Sequence, residues 1–198
     1  LKTIAVLTTD LRGFTRLAAD KSPDAVMRFL GEFQARVVPA IQSAGGAVDK
    51  FTGDGLIATF GAFTAERGQD ATYAADAFHA ADRLLASMDD WNRERAAAGE
   101  DPVRIGIAID VGEVLVGAVG SQDRLEYTVI GDAVNRGAKL EKENKARQSA
   151  ALATREAYDI ARAQGYGRDA LAQIAAAEVD GIPEPVDLTI IAASPRSG

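Results

Sequence analysis

Apolar and polar positions along the chain follow two periods, one typical of buried strands and one typical of amphipathic helices. Thr3 to Thr9 is aliphatic and β-branched, which predicts a buried strand that ends at Asp10. Pro23 to Ala44 carries apolar residues at helical spacing and follows Ser22, a residue type that caps helices. The N-terminal part therefore predicts a strand that ends at an acid, and a long helix after it.

The rest of the chain continues this alternation. Further helices are predicted at Leu11 to Ala19, Gln69 to Ala98, Val134 to Lys145 and Thr154 to Gln164. Further strands are predicted at Ala47 to Thr52, Leu56 to Gly61, Val103 to Val111, Glu113 to Val119, Ala150 to Ala153, Ala175 to Val179 and Pro185 to Ala193. We expect a break at Gly112 and a loop from Gly120 to Asp123. Helices that alternate with strands and hairpins predict an α/β fold, an α+β sandwich with a ferredoxin-like core.

Composition and charge narrow the class of protein. With 198 residues, 47% of them apolar and 26% charged, the chain fits one ordinary globular domain over residues 1–198. A net charge of −7 disfavours nucleic acid and anionic lipid as partners, and no apolar run approaches the roughly 20 residues that cross a bilayer. The absence of cysteine fits a reducing compartment, so we expect a cytoplasmic protein in which oxygen or imidazole holds any metal. The single histidine, His79, lies in a helical run and is assigned no role.

Two acids are the strongest chemical candidates. Asp10 ends a predicted strand, and Asp54 lies at the tip of a hairpin in the turn Gly53-Asp54-Gly55. Taken singly, each could be an ordinary capping or turn residue. Together they could supply the one or two carboxylates that Mg²⁺ usually takes from a protein, with substrate phosphates completing its coordination. Directly after Asp10, Gly13, Phe14 and Thr15 begin a predicted helix whose free N–H groups would favour phosphate oxygens.

A third segment, Tyr127 to Asn135 with the sequence YTVIGDAVN, completes a pattern. With the segments around Asp10 and Asp54, it resembles the catalytic domain of class III adenylyl and guanylyl cyclases, over about Ile4 to Ile191. The resemblance implies two divalent ions, Mg²⁺ or Mn²⁺, held by Asp10 and Asp54. It also implies a homodimer with its active site at the interface between the two copies. The chain can, in addition, be a fragment of a longer protein that has a regulatory domain.

The same resemblance implies which residues bind the nucleotide. Lys50, four residues before Asp54, and Thr128, seven before Asn135, match the family's purine-selecting positions. Guanylyl cyclases usually carry glutamate at the lysine position, so Lys50 implies ATP as substrate and cyclic AMP with pyrophosphate as products. Thr128 is similar to the residue of a bacterial adenylyl cyclase subgroup with threonine in place of aspartate. Without these motifs, Lys50 would be interpreted as a solvated strand lysine.

Two positions depart from the family pattern. Asn135 matches the family's ribose-orienting asparagine, but Lys139, one helical turn later, replaces an arginine that stabilises charge on the transferring phosphate. Asp180 aligns with a lysine that contacts the triphosphate. The alternative hypothesis is therefore a degenerate cyclase-like domain that binds nucleotide or dimerises as a regulatory module. A diguanylate cyclase ranks last, because the Gly-Gly-acid-Glu-Phe hairpin typical of that class is missing from the sequence.

Overall fold

The structure of the protein is a computed structural model that describes residues 1–63, 72–121 and 124–194. Within these ranges the strands β1 to β8 are Lys2–Leu11, Ala47–Phe51, Gly55–Phe60, Ile105–Ser121, Arg124–Ile130, Ser149–Thr154, Ala172–Ala177 and Val186–Ala193. The helices α1 to α5 are Phe14–Ala19, Pro23–Gln42, Tyr73–Ala97, Asp132–Arg147 and Arg155–Ala163. In the same ranges no helix is both long enough and apolar enough to cross a bilayer.

The strands form one sheet in the order β2-β3-β1-β4-β6-β8-β7, and β5 pairs with β4 outside this path. Among the described residues, neighbouring strands of the sheet pair antiparallel, except β4 and β6, which pair parallel. The segment β1-α2-β2-β3-α3-β4 is a βαββαβ unit with the strand order of a ferredoxin-like core. The predicted α+β sandwich with this core is therefore confirmed.

The two faces of β1 pack against different helices, because successive side chains of a strand point to opposite sides of the sheet. Ala5 and Leu7 belong to the main core, with side chains of α2, α3 and α5. Ile4 and Val6 belong to a second cluster that includes Ala133 of α4. The even-numbered positions of β1 therefore face α4.

Helix α4 lies close against this even-numbered face. A Cβ on Gly137 of α4 would be 2.6 Å from Oγ1 of Thr8, so a glycine is needed for the approach. One turn later Glu141 reaches Arg12, which follows the end of β1. The face that carries Thr8, Asp10 and Arg12 is thus covered by one helix.

Strand β4 differs from the sequence-based expectation. It is a single strand of 17 residues, and Gly112, the predicted break, pairs with Ile4 in its middle. A Cβ there would be 3.1 Å from Cβ of Ala133, so this glycine makes room for α4 instead of ending a strand. Gly120 and Ser121, predicted as a loop, belong to β4, while residues 122 and 123 lie outside the described residues.

Several other element ends also differ. Leu11 belongs to β1, and strand β5 was not predicted at all. Strand β7 ends at Ala177, and Val179 instead accepts a hydrogen bond from Ile182 N at 3.0 Å in a turn. The predicted start of the third helix at residues 69–71 lies outside the described residues, within which α3 begins at Tyr73.

Gly131 sets where α4 begins. It is the N-cap residue of α4, and a Cβ on it would lie 2.7 Å from the Glu113 carbonyl oxygen and 3.1 Å from Cα of Val114. Both contacts are with the backbone of β4, so they cannot be relieved by rotating a side chain. The start of the helix that carries Asn135 and Lys139 is fixed by this close approach.

Gly131→Ala is expected to lower the free energy of unfolding by about 1–3 kcal/mol, because the added methyl group forces α4 away from β4. Gly31→Ala is the matched control: Gly31 is an exposed residue of α2, and in the described structure nothing lies within 4 Å of an added Cβ. The free energy of unfolding of Gly31→Ala should be unchanged or rise by about 0.5–1 kcal/mol, because alanine favours a helix more than glycine does. Urea unfolding followed by circular dichroism measures both variants, and equal stabilities would contradict the account.

Candidate active site

Asp10 lies on the central strand of the ferredoxin-like unit, between two glycines. Its register partners are Gly55 on β3 and Gly106 on β4. A Cβ on Gly55 would be 2.7 Å from Oδ1 of Asp10 and 2.4 Å from the Thr9 carbonyl oxygen. The half-buried Asp10 carboxyl group therefore occupies space that a side chain on the neighbouring strand would otherwise fill.

Asp54 is brought beside Asp10 by the β2-β3 hairpin. The Leu11 N–H donates to the Asp54 carbonyl oxygen at 3.2 Å, and the two carboxyl groups lie close enough for the charge of Asp54 to act on Asp10. Burial raises the pKa of Asp10, the charge of Asp54 raises it further, and the charge of Arg12 lowers it. Two acids that interact this closely form a strongly negative spot on the α4 face of the sheet.

A buried ion pair lies next to these acids and was not identified from the sequence. Nη2 of Arg12 forms an ion pair with Oε1 of Glu141 at 2.8 Å, in a geometry that does not meet the criteria of a hydrogen bond. The same nitrogen donates a hydrogen bond to the Glu141 carbonyl oxygen at 3.3 Å. A Cβ on Gly106 would lie 2.0 Å from Oε1 of Glu141 and 2.1 Å from Nη2 of Arg12, so the pair fills the space over this glycine. Burial raises the pKa of Glu141, Arg12 lowers it, and the charges of Asp10 and Asp54 raise it.

Gly13, Phe14 and Thr15 lie at the start of α1, which has only six residues. Gly13 is the N-cap residue in a left-handed conformation, with φ 70°, and no side chain caps the helix. Phe14 packs against the main core and stacks on Phe29 with ring centroids 6.4 Å apart, while Thr15 is exposed. The phenylalanine side chain is therefore a packing residue, and the backbone of Gly13 and Thr15 is what this turn offers to a ligand.

Asn135 and Lys139 line a cleft of about 1120 Å³ between α4, α5 and the segment that follows β7. Nζ of Lys139 donates to the Gly181 carbonyl oxygen. Asp180 is exposed and is not among the described residues that line this cleft. Glu141 of the same helix faces Arg12 beside the acids, whereas Lys139 faces this cleft, so the two residues lie on different sides of α4.

Arg136, adjacent to Asn135, forms a second buried ion pair that the sequence did not suggest. Its Nε donates to Oδ2 of Asp110 at 2.7 Å, and its Nη2 donates to Oδ1 at 3.0 Å. Asp110 is fully buried on β4 and also accepts a hydrogen bond from Thr154 Oγ1 at 3.0 Å. The same threonine hydroxyl accepts from Ala157 N at 3.3 Å as the cap of α5. This network ties α4 to β4 and α5 beside the cleft.

Lys50 and Thr128 lie on β2 and β5. The Lys50 side chain is 48% exposed, and its Nζ lies 3.1 Å from Oδ2 of the buried Asp49 side chain. Thr128 is half-buried and pairs with Gly117 of β4. Both side chains can therefore be reached from outside the chain, although Lys50 already has a local partner.

Comparison with known proteins identifies the family. Residues 1–181 match the family described as the adenylate and guanylate cyclase catalytic domain. The chain belongs to this family, as its sequence motifs indicated. Within the described residues no group of three or more histidines, cysteines and acids is arranged to hold a metal.

Curated relatives are longer than this chain. The adenylate cyclase of Anabaena cylindrica is 34% identical over 142 residues, which cover 70% of this chain and 26% of that protein. The terminal-differentiation-specific adenylate cyclase of Dictyostelium discoideum is 33% identical over 153 residues, 77% of this chain and 7% of that protein. The chain spans about a quarter or less of these two relatives.

Solved structures agree in fold over nearly the whole chain. The guanylyl cyclase Cya2 has a TM-score of 0.82 at 26% identity, covering 98% of this chain and 94% of its own. The adenylyl cyclase CyaB from P. aeruginosa has a TM-score of 0.79 at 27% identity, covering 99% and 98%. Since one is a guanylyl and the other an adenylyl cyclase, the fold alone does not select the purine.

Arg136→Leu is expected to lower the free energy of unfolding by about 3 kcal/mol. Removing one partner of a buried ion pair usually lowers the free energy of unfolding by about 3–5 kcal/mol. The loss is expected at the lower end of this range because Asp110 retains other hydrogen bonds. The control is Arg147→Leu on the same helix, where the partner Glu143 forms an ordinary (i, i+4) pair and the loss should be about 0.5 kcal/mol or less. Thermal and urea unfolding would contradict the account if the two losses were equal.

Proposed function

We propose that the protein is an adenylyl cyclase, which converts ATP to 3′,5′-cyclic AMP and pyrophosphate at the interface of a cytoplasmic homodimer. The observation that carries the proposal is the Asp10–Asp54 pair, two interacting carboxyl groups on β1 and in the β2-β3 turn of a cyclase-family domain. The names of the Anabaena and Dictyostelium relatives support the adenylyl form.

The donor set at Asp10 and Asp54 fits divalent metal ions, with or without a bound nucleotide. Mg²⁺ and Mn²⁺ prefer hard oxygen ligands, and one or two carboxylates suffice when phosphate oxygens and water complete the shell. The space over Gly55 leaves the Asp10 carboxyl group uncovered by its neighbouring strand. Bound there, the ions would lower the pKa of the ribose 3′-hydroxyl and neutralise charge on the leaving pyrophosphate.

The remaining residues of the proposal bind and orient the substrate. The Lys50 ammonium donates to a ring-nitrogen acceptor of adenine, and the Thr128 hydroxyl accepts from its exocyclic amine. Asn135 orients the ribose so that its 3′-oxygen attacks the α-phosphorus and the bond to pyrophosphate breaks. Lys139 offsets the negative charge that develops on the α-phosphate, and the backbone of Gly13 and Thr15 faces the other phosphates.

A homodimer is proposed because one chain does not bring its two functional groups together. The acids lie on β1 and in the β2-β3 turn, beside the Arg12–Glu141 pair, whereas Asn135 and Lys139 line the cleft beside α5. Leu115 and Ile130, register partners on β4 and β5, are 58% and 56% exposed. An apolar cross-strand pair of this kind is suited to burial against a second copy.

We also propose that the chain is one catalytic domain of a longer protein whose regulatory domain controls it. Its curated relatives extend well beyond the matched region, to about four times its length in the Anabaena protein.

A degenerate, regulatory cyclase-like domain is the second candidate, because Lys139 is engaged with the Gly181 carbonyl oxygen. Lysine also lacks the planar fork with which arginine binds two phosphate oxygens. On this alternative, ATP binds and no cyclic AMP forms.

Asp54→Asn is expected to lower cyclic AMP formation from Mn²⁺-ATP by about a hundredfold or more, because it removes one of two metal-binding carboxylates. Asp89→Asn is the control, the same change at an exposed residue of α3, and should retain parental activity. The measurement is product formation by purified protein, resolved by chromatography. Parental protein that binds ATP but makes no cyclic AMP at high concentration would favour the second candidate.

Lys50→Glu is expected to shift the ATP-to-GTP ratio of kcat/KM toward GTP by about tenfold or more, because a carboxylate accepts from guanine where the ammonium donated to adenine. Lys145→Glu, the same charge reversal at an exposed position on α4, should leave the ratio unchanged. Equal ratios in the parent and Lys50→Glu would exclude Lys50 as the purine-selecting residue.

A further inference from the structure

We propose that Glu141 is a positioning residue for the Asp10–Asp54 site. It holds the Arg12 guanidinium over Gly106 and so leaves the two aspartates free to bind divalent cations. This inference rests on the proposed function for the use of those aspartates. It adds a role for a buried glutamate that the proposed reaction does not otherwise use.

Arg12 is the natural competitor for the site. It follows Asp10 by two positions, just beyond the end of β1, and its charge acts on Asp10. A guanidinium pairs readily with carboxylates in a bidentate fork. An unrestrained arginine beside two acids would therefore occupy the same oxygens that a metal ion needs.

Glu141 restrains Arg12 more strongly than the aspartates attract it. Arg12 Nη2 contacts both Oε1 and the backbone carbonyl oxygen of this one residue, at 2.8 and 3.3 Å. Glu141 is only 4% exposed, and a buried carboxylate without a partner is strongly unfavourable. The pair is therefore expected to stay closed whether or not a cation lies on the aspartates.

The location of the pair depends on Gly106. A Cβ there would lie 2.0 Å from Glu141 Oε1, 2.1 Å from Arg12 Nη2 and 2.6 Å from Arg12 Cζ. Gly106 is also the β4 register partner of Asp10. The absence of a side chain at this position thus provides room for the arginine on the opposite side of Asp10 from Gly55.

The charges support the same role. Arg12 and Glu141 neutralise each other, so the aspartate pair keeps its negative charge for a divalent ion. Without Glu141, Arg12 would add one positive charge at a few ångströms from the acids, where such a charge has a large effect on cation affinity.

The test is Mn²⁺ binding to the purified chain without nucleotide, measured from the electron paramagnetic resonance signal of the free ion. Glu141→Gln is expected to raise the half-saturating Mn²⁺ concentration by about tenfold or more. Arg12→Gln combined with Glu141→Gln should restore Mn²⁺ binding to within about threefold of the parent, because the competing guanidinium of Arg12 is then absent. A role in packing alone predicts no such recovery.

Glu143→Gln is the matched control. It removes the same charge two residues along α4, where Glu143 pairs with Arg147 and not with Arg12, so Mn²⁺ binding should match the parent. Should Glu141→Gln fail to fold by circular dichroism, Gly106→Ala replaces it, because the added methyl group displaces the same pair. That variant should show the same loss, and adding Arg12→Gln should reverse it.

The outcomes separate this inference from the proposed function. Parental protein that binds no Mn²⁺, or Asp54→Asn that binds it equally well, would overturn the proposed metal site and this role with it. If Asp54→Asn loses binding while Glu141→Gln does not, only the role of Glu141 is overturned. A double variant that binds no better than Glu141→Gln overturns it as well.

Discussion

The structure depends most on the position of Asp10, an acid on β1, an inner strand of the sheet. A carboxyl group there would normally be crowded by side chains on both neighbouring strands. Glycine on each side, Gly55 and Gly106, instead leaves space for the Asp10 carboxyl group on one side and for the Arg12–Glu141 pair on the other. The two glycines thus determine where negative charge gathers on the α4 face.

Helix α4 connects this charged centre to the rest of the domain. Gly131 and Gly137 let it approach β4 and β1, so Glu141 can reach Arg12 from one side of the helix. Arg136, paired with the buried Asp110, fixes the part of the helix that presents Asn135 and Lys139 to the cleft. The helix therefore contacts the acids of its own chain and presents a second set of polar residues elsewhere, an arrangement suited to two copies that complete each other's sites.

Local patterns were sufficient to predict much of the fold. The aliphatic run to Thr9 and the Gly53-Asp54-Gly55 turn predicted strand β1 and the β2-β3 hairpin, because buried strands and tight turns leave a signal in neighbouring residues. Gly112 was misjudged, since a glycine that admits a helix looks the same in sequence as one that ends a strand. The Arg12–Glu141 and Arg136–Asp110 pairs join residues 129 and 26 positions apart, and nothing in either local segment indicates the partner. The family motifs singled out Asp10 and Asp54, whose role in binding metal stays a prediction.

The central claim is that Asp10 and Asp54 hold the divalent ions of a nucleotide that residues of a second copy also contact. A crystal structure with Mn²⁺ and a non-reactive ATP analogue tests it most directly, since anomalous scattering locates manganese independently of the protein. The account predicts manganese peaks at the two aspartates, with Asn135 and Lys139 of the other copy at the ribose and phosphates. A nucleotide bound with its metal away from Asp10 and Asp54 would contradict it.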